Sequence, residues 1–286
     1  ARGVFGGGGG GGNNVIDYIT IATTGNAIDF GDLTVGRQQL AACSNGARGV
    51  FGGGTGVSDY NTIDYITIAT AGNAVDFGDL NAATIDLAAC SNGVRGVFGG
   101  GTDSSMSTFN TMDYITIATT GNATDFGDLT VGRYGLAACS NSTRGLFAGG
   151  GGGQRDIIDY ITIATTGNAT DFGDLTADGG PGGRSSPAAC SNDTRGVWAG
   201  GETFMGTVNT MDYVTIATTG NATDFGDLSV TRYDAAGTSN NTRGVFGGGS
   251  ASGDTIDYIT IATTGNATDF GDLTVSKSAT SACSGS

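Results

Sequence analysis

The sequence predicts an all-β protein in which one four-stranded antiparallel unit is repeated six times around a ring. Three observations lead to this fold class: one motif recurs six times, each copy contains four short strand-like segments, and no segment has a helical period. An anchoring Tyr recurs every 45–53 residues along the 286-residue chain. These residues are Tyr18, Tyr65, Tyr114, Tyr160, Tyr213 and Tyr258. A repeat of this length and content is typical of one blade of a β-propeller.

Each unit contains four predicted strands, named A to D in chain order. In the second unit they cover residues 40–44, 48–51, 63–70 and 76–80. Each segment is short, rich in β-branched or aromatic residues, and bounded by Gly or Asn turn signals. A two-layer sandwich could use such strands, but it would not need six near-identical units. The sequence therefore favours a six-bladed propeller.

The two ends of the chain predict how the ring closes. The repeated Cys precedes the repeated Arg by five positions, as in Cys43 and Arg48. Counting from Cys283 past the last residue and on to Arg2 gives the same five positions. We therefore expect residues 1–286 to form one propeller domain in which the C-terminal strand completes the N-terminal blade. A ring closed in this way has no open strand edge between its first and last blades.

Composition and charge exclude several classes of function. The net charge of −15 argues against a nucleic-acid partner, because phosphate binding requires clustered Lys and Arg. The chain has no 18-residue apolar run, so we expect no membrane insertion. It has no His, which removes the commonest metal ligand and the usual general base. We therefore expect no enzyme activity and no cofactor.

The start of the chain carries a further expectation. Ala1 is the first residue and no signal peptide precedes it. We therefore expect a processed product or an excerpt of a longer polypeptide.

The repeat resembles the kelch repeat. Strand B ends on Gly52-Gly53, strand C carries Tyr65, and strand D carries Phe77 and Leu80, with Phe where kelch repeats usually have Trp. The motifs Asp-Tyr-Ile-Thr-Ile-Ala-Thr and Arg-Gly-Val-Phe-Gly-Gly are also similar to repeats in virion proteins of marine tailed bacteriophages. The resemblance covers the whole chain and implies a kelch-like six-bladed propeller on the virion surface, outside the cell, in contact with other virion subunits. One fold hosts many functions, so the function has to be argued from a site.

The five cysteines occur once per repeat, and Thr238 takes the sixth position. Equivalent positions on different blades are too far apart for disulfide geometry, so we expect small, buried, unpaired thiols near the axis. A ring of thiols that binds a soft metal is the alternative, and Thr238 weakens it.

The repeated acidic residues invite a comparison with calcium sites. Residues of the Asp17, Asp29 and Asp32 types recur in every blade, and Asp29 and Asp32 could hold calcium, but their spacing is not that of a calcium loop. We expect them to cap turns and to pair with the repeated Arg of the Arg48 type, so that no divalent metal is needed.

The differences between repeats lie in two kinds of segment. The loop between strands B and C varies in length, and one connection between blades has five extra residues within 177–187. Because the strands alternate in direction, the B–C loops and the D–A connections should emerge on the same face. All aromatic residues outside the repeat lie in these segments, and Met106 and Met205 join them. The predicted ligand-binding residues on this face are Tyr60, Phe109, Tyr134, Arg155, Arg184, Glu202, Phe204 and Tyr233.

Exposed aromatic residues on variable loops are typical of binding surfaces. The sequence therefore predicts a non-catalytic phage virion module, associated with a tail or fibre, that binds a host-surface glycan or protein through this face. Neutral drift is the alternative origin of the loop residues, with Tyr134 and Tyr233 packed against a neighbouring blade. A purely architectural virion protein, acting as a spacer or decoration that docks on other virion subunits, is the alternative function. A hydrolase or oxidase is disfavoured by the absence of His.

Overall fold

The predicted architecture is confirmed by a computed structural model that describes residues 1–9, 13–152, 156–176, 183–250 and 253–285. This part of the chain contains strands and no helix. The strands form six antiparallel sheets of four strands each, with one additional two-stranded hairpin. The six sheets are the blades of a β-propeller.

Four strands, A to D, make up each blade. Blades 1 to 3 consist of β26 (Ser281–Ser284), β1 (Arg2–Gly6), β2 (Val15–Thr20) and β3 (Ile28–Asp32); β4 (Ala41–Ser44), β5 (Arg48–Gly52), β6 (Thr62–Thr67) and β7 (Val75–Asp79); and β8 (Ala88–Ser91), β9 (Arg95–Gly99), β10 (Thr111–Thr116) and β11 (Thr124–Asp128). Blades 4 to 6 consist of β12 (Ala137–Ser140), β13 (Arg144–Ala148), β14 (Ile157–Thr162) and β15 (Thr170–Asp174); β16 (Ala188–Ser191), β17 (Arg195–Ala199), β20 (Thr210–Thr215) and β21 (Thr223–Asp227); and β22 (Ala236–Ser239), β23 (Arg243–Gly247), β24 (Thr255–Thr260) and β25 (Thr268–Asp272). Blade 5 also carries the hairpin of β18 (Glu202–Thr203) and β19 (Gly206–Thr207). Strand C is shorter than predicted, because the chain turns after Thr67.

Ring closure by the C-terminal strand is confirmed. Strand β26 pairs antiparallel with β1, with Cys283 opposite Val4. The amide of Gly285 also donates to the carbonyl of Arg2 at 2.8 Å. The six A strands contact one another in cyclic order, and β26 lies between β22 and β4. The A strands therefore line the axis, and the last strand of the chain is the last member of that inner ring.

The hydrophobic core lies between blades rather than within one blade. A representative cluster combines Val50, Ile63 and Phe77 of blade 2 with Phe98 and Ile115 of blade 3, all of them buried. Five further clusters connect the other neighbouring blades in the same way. Removing such apolar area from water stabilises the ring by roughly 25 cal/mol for each Å².

Glycines allow the blades to approach closely. A Cβ on Gly52 would lie 2.7 Å from the ring of Phe98 in the next blade. A Cβ on Gly96 would lie 2.5 Å from Sγ of Cys43 in the preceding blade. The Gly of the Arg-Gly motif in one blade therefore packs against the repeated Cys of the preceding blade.

The prediction of buried, unpaired thiols is confirmed, since all five cysteines are free and buried. Burial raises the pKa of the Cys43 thiol, and it raises the pKa of the Cys283 thiol to about 12. Both effects keep the thiols protonated at neutral pH, and the thiolate is the reactive form.

We therefore expect the native protein to react very slowly with a thiol reagent at pH 8, and to show five reactive thiols once it is unfolded without reductant. A spectrophotometric titration in buffer and in concentrated urea measures both values. Rapid reaction of the native thiols would contradict the buried positions, and fewer than five in urea would reveal disulfides.

The repeated Arg of the Arg48 type does not pair with Asp, and this part of the sequence prediction was wrong. The guanidinium of Arg48 lies over the ring of Tyr65, 4.5 Å from its centroid. It also donates to the carbonyl of Ala118 in the next blade at 2.9 Å. All six blades repeat the Arg–Tyr contact. The negative face of the ring attracts the cation, so this Arg joins strand B, strand C and the neighbouring blade.

Asn residues, and not the Asp residues of the Asp29 and Asp32 types, cap the A–B and C–D turns, whereas the repeated Asp of strand C does accept a turn amide, as Asp64 does from Thr34. The side-chain oxygen of Asn45 accepts the amides of Ala47 and Arg48 in the A–B turn. The side-chain oxygen of Asn73 in the C–D turn accepts the amide of Asp32 in the preceding blade. Among the described residues, the carboxylates of the Asp29 and Asp32 types accept no hydrogen bond. The expectation that these Asp residues cap turns was therefore wrong.

A third set of repeated Asp residues, on strand C, is buried in ion pairs. Asp64 is fully buried and lies 2.8 Å from the guanidinium of Arg37, which comes from the D–A connection. Arg37 also donates to the carbonyls of Phe51 and Gly53. The equivalent pairs are Arg133–Asp159, Arg184–Asp212, Arg232–Asp257 and Lys277–Asp17. Each pair ties a D–A connection to strand C of the blade that follows, and the four Arg side chains also donate to a carbonyl of strand B.

Candidate functional site

The B–C loops and the D–A connections lie on one side of the ring, as predicted. Isolated bridges join the two kinds of segment, for example Gln38 with Thr55 and Ile85 with Thr102. We call this side the loop face. It comprises the B–C loops 7–14, 53–61, 100–110, 149–156, 200–209 and 248–254 and the D–A connections 33–40, 80–87, 129–136, 175–187, 228–235 and 273–280, apart from their residues outside the described ranges.

Four large apolar side chains at loop tips point into solvent on this face. Phe204 is 89% exposed and Met205 is 75% exposed. Met106 and Val57 are 86% and 96% exposed. Phe204, Met106 and Met205 lie in the B–C loops that the sequence singles out, whereas Val57 was missed. Its loop contains mainly Gly, Ser and Asp, and a lone Val carries no signal in such a segment.

Local hydrogen bonds hold the tip of the blade 5 loop. Phe204 and Met205 connect the two strands of the hairpin Glu202–Thr207. The hydroxyl oxygen of Thr203 accepts the amide of Met205 at 3.1 Å and donates to the carbonyl of Gly206 at 2.9 Å. The two exposed side chains are therefore presented by an ordered hairpin, which lowers the entropy lost when a ligand covers them.

The blade 3 loop is held in a similar way. The carboxylate of Asp103 accepts the amides of Ser105 and Ser107, both at 3.0 Å. Met106 lies in that turn with φ 63°, a left-handed conformation that is uncommon for a residue other than Gly. The turn therefore fixes the outward position of Met106.

Tyr60 and Phe109 belong to the loop face but do not lie at loop tips. Both are half-buried at the base of their loops. The amide of Tyr60 donates to Gly54 and that of Phe109 to Gly101, as Val208 does to Gly201 in blade 5. Their carbonyls accept amides of the following D–A connections. The backbone position is thus part of the repeated frame even though its side chain varies.

Tyr134 and Tyr233 lie on the loop face near the axis. They occupy equivalent positions in the D–A connections that enter blades 4 and 6, where Tyr134 bridges Gly151 and the carbonyl of Tyr233 accepts the amide of Ser250. Tyr134 is 36% exposed, and Tyr233 is less so. Both side chains therefore remain partly available on the loop face.

Arg184 does not belong to a ligand-binding surface, and its prediction was wrong. It is fully buried and pairs with Asp212 at 2.7 Å. It also donates to the carbonyls of Trp198 and Thr210. The missed signal was a recurrence: Arg or Lys occurs four residues before strand A in five of the six repeats. Arg155, another predicted residue, lies outside the described residues.

The axial end of the loop face carries a closed ring of backbone hydrogen bonds. One residue from each D–A connection donates its amide to the carbonyl of the equivalent residue in the preceding connection, and all non-Gly members have positive φ. The ring members are Gln39, Asp86, Gly135, Ser186, Asp234 and Ala279. These hydrogen bonds form a continuous inner rim around the axis on the loop face.

Two carboxylates face each other across that rim. Asp86 and Asp234 are the ring members that enter blades 3 and 6, which lie on opposite sides of the six-bladed ring. Burial and the charge of Asp234 raise the pKa of Asp86 to about 6, although a 2.8 Å hydrogen bond from Gln39 opposes the shift. Burial also raises the pKa of Asp234, and the nearby exposed Glu202 adds to that effect. The loop face therefore combines exposed apolar tips with a negative axial rim.

The opposite side, formed by the A–B and C–D turns, is polar and repetitive. We call it the turn face. Its axial bowl has a volume of about 670 Å³ and is lined mainly by Ser and Asn residues of the A–B turns. The hydroxyls of Ser91 and Ser140 each donate to the carbonyl of the equivalent Ser in the preceding blade at 2.7 Å. Variation between repeats is thus concentrated on the loop face.

Two further observations limit the chemistry of the described residues. No three His, Cys, Asp or Glu side chains among them form a group that could hold a metal ion. The described part of the chain also has no helix long and apolar enough to cross a membrane.

Comparison with known proteins gives no family for this chain. Neither the models of protein families nor the curated proteins match its sequence.

Proposed function

We propose that this protein is a non-catalytic binding module that contacts a host-surface glycan or protein through the loop face, as part of a phage tail or fibre. One observation carries the proposal: the most exposed large apolar side chains, Val57, Met106, Phe204 and Met205, share one face. Exposed apolar side chains on variable loops that a rigid scaffold holds are typical of binding surfaces. The phage setting rests on the resemblance of the repeats to virion proteins and to kelch repeats.

The chemistry of the face suits recognition of a surface ligand. Aromatic side chains such as Phe204, Tyr134 and Tyr233 can cover sugar rings or protein side chains, and they lose little conformational freedom when they do so. The negative rim of Asp86 and Asp234 favours ligands with hydroxyl or cationic groups over anionic ones.

An architectural role is the second candidate, and the turn face supports it. Its Ser-Asn turns repeat around the whole ring with little change, so it offers a nearly six-fold polar surface. Such a surface suits docking on a symmetric virion subunit. Density that shows the loop face buried against other subunits in the assembled particle would favour this candidate over the first.

Changing the loop tips should weaken binding without weakening the fold. We expect the variant Phe204→Ser/Met205→Ser/Met106→Ser to bind at least about tenfold more weakly to an array of bacterial surface polysaccharides. A loss of affinity of this size is typical when a side chain that anchors an interface is removed. Its melting temperature should stay within about 1 °C of the original, because exposed side chains bury little area.

The matched control is Val94→Ser, which removes an apolar side chain that is 63% exposed on an A–B turn of the turn face. This variant should bind as the original protein does. Unchanged binding in the loop-face variant, with weakened binding in the control, would reverse the assignment of the two faces.

A further inference from the structure

Five blades place a cation in the same slot between strands B and C. In blade 2 the guanidinium of Arg37 donates to Asp64 at 2.8 Å and to the carbonyls of Gly53 and Phe51 at 3.0 and 3.2 Å. Blades 4, 5 and 6 hold an Arg in this way, and blade 1 holds Lys277. The slot is therefore a cation site that the fold repeats.

Blade 3 has the same arrangement of acceptors but lacks the Arg or Lys that fills the slot in the other five blades. Thr84 occupies the position of Arg37, four residues before strand A, and its hydroxyl donates to the carbonyl of Ala82 instead. Asp113 occupies the position of Asp64, and its carboxylate accepts the backbone amide and the side-chain amide of Asn81. Within the described residues, Asp113 is the one member of its set without a basic partner.

The acceptors of the slot are nevertheless arranged as in blade 2. Phe98 lies opposite Asp113 in the strand register, as Phe51 lies opposite Asp64. The amide of Gly100 donates to the carbonyl of Thr111 at 3.1 Å, the distance found for the equivalent pair in blade 2. We call the carboxylate of Asp113 and the carbonyls of Phe98, Gly100 and Thr111 the blade 3 slot.

The slot is reachable from solvent. Asp113 is partly exposed, whereas its five counterparts are fully buried. Thr111 is exposed, whereas the residue at the start of strand C is half-buried in the other blades. Burial raises the pKa of Asp113, and a cation in the slot would oppose that shift. The replacement of Arg by Thr thus opens a site that bears a negative charge.

We propose that the blade 3 slot binds a guanidinium group of a ligand, either a small guanidinium compound or an arginine side chain of a partner. We choose guanidinium because of the contacts in blade 2. There one nitrogen of the planar guanidinium of Arg37, Nη1, donates to the carbonyl of Gly53, and the other, Nη2, donates to the carbonyl of Phe51 and to Asp64. A metal ion would need its oxygen ligands at about 2.3–2.6 Å from a single point. The N–H groups of a planar guanidinium point in different directions, so they can reach acceptors that lie at separate positions. This proposal is independent of the proposed function.

Nuclear magnetic resonance titration of the whole protein with methylguanidinium chloride tests it. We expect saturable shifts of the amides of Asn81, Gly100 and Thr111, and none at the equivalent amides Thr34 and Gly53 of blade 2. Potassium chloride and calcium chloride at equal ionic strength should not reproduce the shifts. No saturable shift in blade 3, or the same shifts with either metal salt, would overturn the proposal.

A capped Gly-Arg-Gly peptide distinguishes the two sources of the group. Saturable shifts with the peptide indicate a partner's arginine, whereas shifts with methylguanidinium alone indicate a small compound, and either result supports a guanidinium site.

Two variants test the slot itself. Thr84→Arg should abolish the shifts and keep the fold, since four other blades hold Arg at this position with the same kind of pair. Asp113→Asn should weaken methylguanidinium binding at least about tenfold, because it removes a charge-assisted hydrogen bond. Unchanged affinity in either variant would overturn the proposal.

Discussion

Replacing Asp64 by Ala is expected to lower the free energy of unfolding by about 3–5 kcal/mol, the range for breaking a buried ion pair. The loss is large because the guanidinium of Arg37 is fully buried and would keep its charge without a carboxylate beside it. Burial already lowers the pKa of Arg37, and the Asp64 charge opposes that shift. Denaturant unfolding followed by the fluorescence of Trp198, the single Trp, measures the change.

Blade 3 provides the matched control. Replacing Asp113 by Ala should cost only about 1 kcal/mol, the typical value of a hydrogen bond, because no basic side chain depends on it. The double variant Arg37→Met/Asp64→Leu should recover much of the loss, since it leaves no unpaired buried charge. Equal losses for Asp64→Ala and Asp113→Ala would show that the pair with Arg37 does not account for the stability of blade 2.

Removing residues 281–286 is expected to abolish the stable monomer, a loss of at least about 5 kcal/mol and comparable with the whole stability of a typical domain. The deletion removes strand A of blade 1, exposes the edge of β1, and breaks the inner ring between β22 and β4. It also removes Cys283, whose Sγ packs against Gly49. An open strand edge promotes aggregation. Melting curves and size-exclusion chromatography measure the outcome.

A circular permutant is the control for that deletion. It joins residue 286 to Ala1 through a short linker and begins at Ser105, in the exposed tip of the blade 3 loop. All strands are retained and the ends are already adjacent, so this variant should fold and remain monomeric. A truncated chain as stable as the full chain would contradict closure by β26.

The positions of the strands and the closure of the ring could be predicted from the sequence, because each depends on local or repeated signals. Alternating β-branched residues and Gly or Asn turns mark the strands, and the spacing from Cys43 to Arg48 recurs across the chain ends. The partner of Asp64 could not be predicted in this way. Arg48 recurs in all six blades, and Arg37 has an Arg or Lys counterpart in four of the other five. Only the three-dimensional register shows that Arg48 lies over Tyr65 while Arg37 reaches Asp64.

The candidate site was predicted in part. The shared side of the B–C loops and D–A connections followed from strand direction, and Phe204 lies at an exposed tip as expected. Tyr60 and Phe109 looked like loop tips because their side chains are not repeated, yet their backbone positions are part of the repeated frame. Arg184 was misassigned because the insertion beside it hid its equivalence to Arg37. Side-chain variation alone therefore does not separate the tip of a loop from its base.

In the proposed function, the loop face and not the turn face contacts the target. Hydrogen–deuterium exchange of the protein, free and bound to the polysaccharide that retains it best in the array assay, tests this claim directly. We expect slower exchange on binding within residues 101–109 and 201–208, with unchanged exchange in the C–D turns at 23–26 and 118–122. Protection of those C–D turns, with unchanged exchange in the B–C loops, would contradict it.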